Sequence, residues 1–191
     1  HPEANGGAGL AWTAPTWTVD GAGAAVNTPT QGSELLTDGG VEIWASPTDL
    51  TNWTESITGT TPVNKETVDI HGGSNAVRVD VDANNSGWGI EQTIIAPIGS
   101  WILSSWWAKS NLTGKNARMD VGSNIGAGQP LTTSYAQFVQ VLRALAANPP
   151  LAWSRNSAAS SSIYFDDHSS KILTLSSLFS SLVLSTVNVM A

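Results

Sequence analysis

The sequence has no cysteine and few charged residues. Without cysteine there is no disulfide framework, no thiolate nucleophile and no zinc site built on Cys ligands. Charged residues make up 12% of the chain, about half the roughly 25% of an average soluble domain. Eight residues are basic against fifteen acidic ones, which gives a formal net charge of −7. Binding to phosphate backbones needs the opposite sign of charge, so we expect no nucleic-acid partner.

Aromatic residues are instead well represented, with nine Trp against three Phe and two Tyr. Disordered chains are highly charged and poor in aromatic residues, so the chain is predicted to fold. Its 191 residues suffice for one domain with a sizeable core. Residues 1–34 are rich in Gly, Ala, Thr and Pro, and they are predicted to form an arm. Trp12 and Trp17 are the apolar anchors of that arm.

The C-terminal residues 172–191 contain no charged residue. Their length would permit a membrane span, but the Ser pairs at 176–177 and 180–181 argue against one. An apolar chain end of this kind is expected to bury against a neighbouring domain or subunit. We therefore predict that 176–191 is an extension, or a linker to an assembly partner.

Residues 35–175 contain short runs of period two, separated by turn signals rich in Gly, Asn and Pro. Apolar and polar residues alternate most regularly over 77–82, 117–121 and 163–167. Alternation of this kind predicts half-buried strands. Many short strands with regular turns predict an all-β fold, an antiparallel β-sandwich.

Residues 134–147 fit two patterns. As a helix, the segment would begin after Ser134 and place Phe138 and Leu142 on one side. As a strand, it would place Val139 and Val141 on the side opposite Phe138 and Leu142. Periodicity alone leaves both open.

No catalytic motif is present. The sequence lacks the G-x-S-x-G and H-E-x-x-H patterns, and a lone histidine such as His71 or His168 is more often structural than catalytic. No pair of acidic residues is marked by its sequence context as the two carboxylates of a glycosidase. We predict that the protein is not an enzyme.

Two groups of acidic residues are candidate calcium ligands. Four residues match the spacing of a calcium loop: Asp80, Asp82, Asn84 and Glu91. The position where that loop needs glycine holds Asn85, and a hairpin with charged edges explains the same residues.

The second group pairs Glu42 with Asp166 and Asp167. Adjacent carboxylates beside apolar Tyr164 and Phe165 are costly unless they are paired or bound to a metal. Spacing also allows Asp166 to face solvent and Asp167 to cap backbone amides.

Neighbouring tryptophans occur in the run WILSSWWAK at 101–109. In a regular strand Trp107 lies on the face of Trp101, and Trp106 lies on the opposite face. One of the adjacent pair is then a core residue, and the other is exposed or covers the other side of the sandwich. An exposed indole flanked by polar side chains is a flat platform for a sugar ring. Most of the nine Trp, Trp53 among them, are expected in the core.

Several short segments together resemble a known family. They are GGVE at 39–42, HGGS at 71–74, GWGIEQTI at 87–94, WILSSWWAK at 101–109 and IYFDD at 163–167. Their order and spacing resemble the carbohydrate-binding modules with a galactose-binding-like jelly roll, found beside xylanases and cellulases. The resemblance implies a sandwich of eight to ten strands over 35–175, with 134–145 as a strand.

The same resemblance implies a site and a cofactor. It implies a structural calcium held by Glu42 together with Asp166 or Asp167. It also implies glycan binding through aromatic and polar side chains, for which four residues occupy suitable positions: Trp88, Gln92, Trp106 and Trp153.

The chain departs from the family at two places. His168 stands where the family's last strand has valine. The run at 101–109 has one extra residue, which indicates a bulge and leaves the facing of Trp106 and Trp107 open.

From these observations we predict a non-catalytic, glycan-binding β-sandwich of a secreted or virion-surface protein. Its partner would be a polysaccharide or other glycan. The alternative is a structural protein, such as a phage decoration, fibre or filament subunit. Such a subunit would use the sandwich as a scaffold and its apolar ends, 1–34 and 176–191, to contact neighbouring copies.

Overall fold

The structure is a computed structural model that describes residues 29–57, 63–81, 87–155 and 160–174. Within these ranges every regular secondary-structure element is a β-strand. The arm anchors Trp12 and Trp17 and the extension 176–191 lie outside the described residues. In the part of the chain that is described, no helix is long and apolar enough to cross a membrane.

Fourteen strands, numbered in chain order, make up the described fold. They are β1 (Thr30–Glu34), β2 (Trp44–Ser46), β3 (Asp49–Leu50), β4 (Thr54–Ile57), β5 (Val63–Glu66), β6 (Ala76–Val81), β7 (Gly87–Thr93), β8 (Trp101–Ser110), β9 (Lys115–Val121), β10 (Asn124–Ile125), β11 (Gln129–Leu131), β12 (Ala136–Arg143), β13 (Pro150–Arg155) and β14 (Ser161–Thr174).

The strands form two six-stranded sheets and a small ribbon. The first sheet has the order β12-β8-β14-β6-β5, with β1 also paired to β14. The second sheet has the order β10-β9-β13-β7-β4, with β11 also paired to β9, and β2 pairs with β3. All these pairings are antiparallel, so the predicted antiparallel sandwich is confirmed. With its short strands counted, the fold exceeds the eight to ten strands that the resemblance implied.

Aromatic rings fill the space between the sheets. Trp153 stacks on Phe165 with 4.7 Å between ring centroids, on His168 with 4.9 Å and on Trp53 with 5.4 Å. Trp106 and Trp153 are completely buried, and Trp53 is 6% exposed. Removing this much apolar surface from water is the main driving force for packing the two sheets together. The prediction that Trp53 is a core residue is confirmed.

One domain boundary differs from the prediction. The strand β1 lies within the stretch 1–34 that composition assigned to the arm, yet Thr30 pairs with Thr174 in the first sheet. The sandwich therefore extends at least to Thr30, five residues before the predicted start at 35. Composition could not show this because β1 is exposed along its whole length and lacks the apolar alternation of a half-buried strand.

The segments 134–147 and 101–109, whose conformation the sequence left open, both contain regular strands. The segment 134–147 contains β12, with Val139 paired to Ser105 and Val141 paired to Leu103 of β8. Along β8 the inward and outward positions alternate without interruption, so the bulge expected in 101–109 is absent. The irregularity lies in the partner strand β14, between Asp166 and Ser169.

Candidate functional site

Among the described residues, the outer face of the first sheet carries several aromatic side chains that are not in the core. Because β8 alternates regularly, Trp107 and Lys109 point away from the core and are half-buried. Across the sheet Lys109 pairs with Tyr164 of β14, and Tyr164 pairs with Arg78 of β6. Trp107, Lys109, Tyr164 and Arg78 therefore occupy adjacent positions on one face.

Two residues from outside the strands complete this arrangement. His71, in the loop before β6, stacks on Trp107 with 3.7 Å between ring centroids and 15° between planes. Tyr135, just before β12, meets His71 edge-on at 5.7 Å. We call the five residues His71, Trp107, Lys109, Tyr135 and Tyr164 the Trp107 cluster.

Lys109 holds the cluster together. Its ammonium forms an ion pair with Asp69 and lies 5.5 Å from the ring centre of Tyr135 and 5.0 Å from that of Tyr164. Each of these distances is within the range of a cation–π interaction. The hydroxyl of Tyr135 donates a hydrogen bond to the backbone oxygen of Asp69, 2.9 Å away.

The hydroxyl of Tyr135 stays protonated at neutral pH because its pKa is raised. Burial raises the pKa of the Tyr135 hydroxyl, and the nearby carboxylates of Asp166 and Asp69 raise it further. The cluster therefore combines aromatic surface with a tyrosine hydroxyl bound to the backbone of Asp69 and an ammonium paired with the carboxylate of Asp69. Such a surface can stack against the C–H face of a ring and hydrogen-bond to hydroxyls at its edge.

Two predicted glycan-binding residues, Trp106 and Trp153, are core residues, so these predictions are wrong. Both indoles are completely buried, so neither can contact a sugar from solvent. Trp106 points inward because the alternation of β8 places it on the face opposite Trp107. Trp153 of β13 faces the other sheet and stacks between Phe165 and Trp53.

The other two predicted glycan-binding residues lie in the second sheet. The backbone of Trp88 belongs to β7, opposite Ser154, while its side chain lies outside what the structure describes. Gln92 accepts a hydrogen bond from the Thr37 N–H at 2.7 Å and donates to the backbone oxygens of Thr37 and Asn52. Its amide joins two loops, which is a structural role.

The predicted metal residues do converge on one loop. Gly73 passes so close to Glu42 that an added Cβ would lie 1.7 Å from the Glu42 Oε1. An added Cβ at Gly72 would lie 2.3 Å from Oδ2 of Asp167. Gly73 also has a φ of +63°, which favours glycine. The two glycines of the HGGS segment thus let both carboxylates approach the backbone.

Backbone strain positions Glu42. The preceding residue, Val41, has a φ of +51°, which is rare for a β-branched residue. A turn holds it there, because the Val41 N–H donates to the Asp38 oxygen and the Glu42 N–H donates to the Asp38 carboxylate. The Glu42 carboxylate then accepts the N–H of Ser74 at 2.8 Å and the side-chain amide of Asn75 at 2.8 Å.

Asp166 and Asp167 have different roles. Asp166 is fully buried and accepts the backbone N–H groups of His71, Gly72 and Asp167. Burial raises the pKa of Asp166, and these hydrogen bonds oppose that shift. Asp167 is half-exposed, and its Oδ2 lies 2.7 Å from Nδ1 of His71.

These contacts determine which of the three carboxylates is available to coordinate a metal ion. Asp166 is committed to three N–H donors, whereas Glu42 and Asp167 are both within about 4 Å of the Cβ position of Gly40 and border the same glycine loop. No group of three or more His, Asp or Glu residues in the described ranges is arranged to hold a metal by side chains alone. A calcium ion here would need backbone carbonyls and water in addition to Glu42 and Asp167, as many calcium sites do.

The fold separates the residues that matched the spacing of a calcium loop. Asp80 belongs to β6 of the first sheet and Glu91 to β7 of the second. Asp80 accepts hydrogen bonds from Asn64 and Ser162, whereas Asp82 and Asn84 lie outside the described residues. Because β6 and β7 lie in different sheets and do not pair with each other, the structure supports neither a metal loop nor the hairpin with charged edges.

The comparisons with known proteins identify the fold. No protein-family model matches the chain, and no curated protein matches it in sequence. Among solved structures, the CBM22-1 xylan-binding domain of Paenibacillus barcinonensis Xyn10C aligns with a TM-score of 0.55 and 12% identity, over 75% of this chain and 96% of that domain. TmCBM61 in complex with β-1,4-galactotriose aligns with a TM-score of 0.54 and 15% identity, over 73% and 98%.

A phage protein is also similar. The enzymatically active domain of tailspike protein 4 of bacteriophage CBA120 aligns with a TM-score of 0.50 and 20% identity, over 73% of this chain and 21% of that one. At these identities the matches establish the fold alone. The chain has the jelly-roll fold of carbohydrate-binding modules, as the sequence resemblance implied.

Proposed function

We propose that the chain is a non-catalytic glycan-binding module and that the Trp107 cluster is its sugar platform. The observation that carries the proposal is the outward, half-buried Trp107, flanked by Lys109 and two tyrosines on one sheet face. One face of the indole stacks on His71, so the sugar would use the other face, and the neighbouring polar groups can bond to ring hydroxyls. We further propose that the parent protein is secreted or lies on a virion surface, where polysaccharides are encountered.

Binding at one such platform would be modest. A single sugar stack with a few hydrogen bonds corresponds to a Kd of about 10⁻³ to 10⁻⁶ M, or about −4 to −8 kcal/mol. Several copies on one particle or cell surface would raise the effective affinity by multivalency.

The test is a glycan array followed by calorimetry on the positive glycans. Trp107→Ala is expected to weaken binding at least tenfold without unfolding the chain, because the side chain faces outward. Trp101→Ala is the matched control, since Trp101 is an exposed indole on the same strand and face about 20 Å away. The proposal is wrong if no glycan binds at millimolar concentration, or if the two variants bind equally well.

We also propose a structural calcium at Glu42 and Asp167. The support is the glycine loop that admits both carboxylates, together with the strained Val41 that orients Glu42. A divalent cation would relieve the repulsion of these acidic groups and tie the loop of residues 39–42 to β14.

The calcium proposal makes a thermal prediction. Adding a chelator should lower the melting temperature, and saturating calcium should restore it, because a ligand that binds only the folded state stabilises it. Glu42→Gln should abolish the calcium-dependent shift, whereas Glu34→Gln, at an acid of β1 away from the loop, should leave it intact. An unchanged melting curve after chelation would exclude the site.

A second function is assembly through the chain ends, and an exposed apolar surface at one end of the sandwich supports it. Ile98, Trp101 and Leu145 are all more than 40% exposed and lie at one end of the sandwich, where Gly99 and Ala144 are hydrogen-bonded. Leu173, next to the last described residue, pairs with Trp101. Light scattering on the full chain and on residues 29–174 tests this function: assembly should occur only in the full chain, and two monomers would contradict it.

A further inference from the structure

We propose that a cavity beside the Trp107 cluster is a subsite for the carboxylate of an acidic sugar, with Lys171 as its charged ligand. The inference rests on the proposed glycan-binding function and names the chemical class of the glycan: a polysaccharide that contains uronic acid.

The cavity is a distinct feature of the outer face of the first sheet. It has a volume of about 270 Å³, close to the lower end of the roughly 300–1,000 Å³ typical of ligand pockets. This size suits one sugar unit better than a whole oligosaccharide. Leu103 and Val139 provide its apolar surface, and the remaining lining residues are polar: Gln31, Ser105, Gln137, Ser169 and Lys171.

Lys171 provides the only formal charge in this lining. The ion pairs seen among the described residues do not include it. Glu34 pairs with Lys171 across β1 and β14, and its carboxylate accepts hydrogen bonds from the hydroxyl of Ser169, a lining residue, and from the Ser170 N–H, but Glu34 itself does not line the cavity. The cavity therefore presents a cation with amide and hydroxyl groups around it.

The cavity adjoins the proposed platform. Ser105 pairs with Val139 and Ser169, and two residues further along β8 Trp107 pairs with Gln137, which also lines the cavity. Two residues of a strand span about 7 Å, so a sugar in the cavity and a sugar on Trp107 can belong to neighbouring units of one chain.

The ammonium of Lys171 makes the cavity better suited to an anionic sugar than to a neutral one. A carboxylate bonded to an ammonium forms a charge-assisted hydrogen bond, which is roughly twice as strong as a neutral one. The chain as a whole has a net charge of −7, which repels polyanions at a distance. Selection for an acidic glycan therefore depends on a local cation, and Lys171 is the residue placed to supply it.

The experiment uses the full chain and pairs of probes that differ only at the carboxylate. Oligomers of glucuronate and galacturonate, and the same oligomers reduced at the carboxyl group to neutral glucose and galactose units, are titrated by calorimetry. We expect the acidic member of a pair to bind at least tenfold more tightly. Lys171→Met should remove that preference and leave the neutral oligomer unchanged within twofold.

Two controls separate the charge from its position. Lys171→Arg should keep most of the preference, because it keeps the cation. Lys65→Met removes the same charge from β5, outside the cavity lining, and should leave the preference unchanged.

Each outcome has one meaning. Equal affinity for acidic and neutral members overturns the subsite while the platform stands, provided that Trp107→Ala still weakens binding at least tenfold. An acidic preference that survives Lys171→Met places the carboxylate elsewhere and also overturns it. If no member of the panel and no glycan of the array binds, both the platform and the subsite are refuted.

Discussion

The buried histidine of β14 leads to a prediction about pH. His168 is 4% exposed and lies in the aromatic core, stacked on Trp153 at 4.9 Å. Its Nε2 pairs with the Ser170 hydroxyl at 2.9 Å, and its Nδ1 has no hydrogen-bond partner. Burial lowers the pKa of His168 to about 3, so the ring is neutral in the folded protein at neutral pH.

The size of the effect follows from proton linkage. In the unfolded chain the pKa of a histidine is about 6.5, so at pH 5 the unfolded state binds a proton that the folded state does not. The folded pKa is depressed, and the contribution of His168 to stability is therefore present above pH 6.5 and lost as pH falls toward 3. Between pH 7 and pH 5 the free energy of unfolding should fall by about 2 kcal/mol through His168.

The measurement is denaturant unfolding at pH 7 and pH 5, with chelator present throughout so that metal occupancy stays constant. His168→Leu fills much of the same space without a titrating group, so its unfolding free energy should fall by about 2 kcal/mol less than that of the parent chain over this pH range. His71→Gln is the control, because it replaces a histidine whose side chain is 28% exposed rather than buried, and it should keep the loss of stability that is due to His168. Equal pH dependence of the His168 variant and the parent would refute the buried neutral histidine.

Four substitutions test the packing, each by denaturant unfolding. Trp106→Ala should cost about 3–5 kcal/mol, whereas Trp107→Ala should cost less than about 1 kcal/mol, and equal costs would contradict their opposite facing. Gly73→Ala should destabilise the chain by at least about 1 kcal/mol, because its Cβ would overlap the Glu42 carboxylate at a φ of +63°; a neutral effect would mean that the loop lies elsewhere. Asp120→Ala should cost about 3 kcal/mol, since Asp120 is 1% exposed and accepts hydrogen bonds from buried groups, and a loss below 1 kcal/mol would show that water replaces them.

Local alternation predicted much of the first sheet. The period-two pattern of 101–109 separated Trp106 from Trp107, and the alternation at 163–167 already placed Tyr164 opposite Ile163 and Phe165. These patterns hold because successive side chains of a strand point to opposite faces, whatever the rest of the fold does. Pattern alone did not say which face was the core, and the resemblance pointed to Trp106, the wrong member of the pair.

The remainder of the cluster depends on contacts between distant parts of the chain. His71 reaches Trp107 across 36 positions, as the numbering of the stacked pair shows, and Tyr135 reaches Asp69 over a separation of 66 residues. No local periodicity encodes such contacts. The two glycines of the HGGS segment were predicted only as a turn signal, and the carboxylates that approach them are fixed by the fold.

The bulge of β14 joins the core to the candidate sites. Asp167 and His168 together stand opposite the single residue Trp106. Because of this extra residue, the next inward-facing position after Phe165 is His168 and not Asp167. Asp167, with a φ of 44°, is turned outward to bond His71, which in turn stacks on Trp107. Contacts therefore connect His168 in the core to the Trp107 cluster through the adjacent Asp167 and through His71.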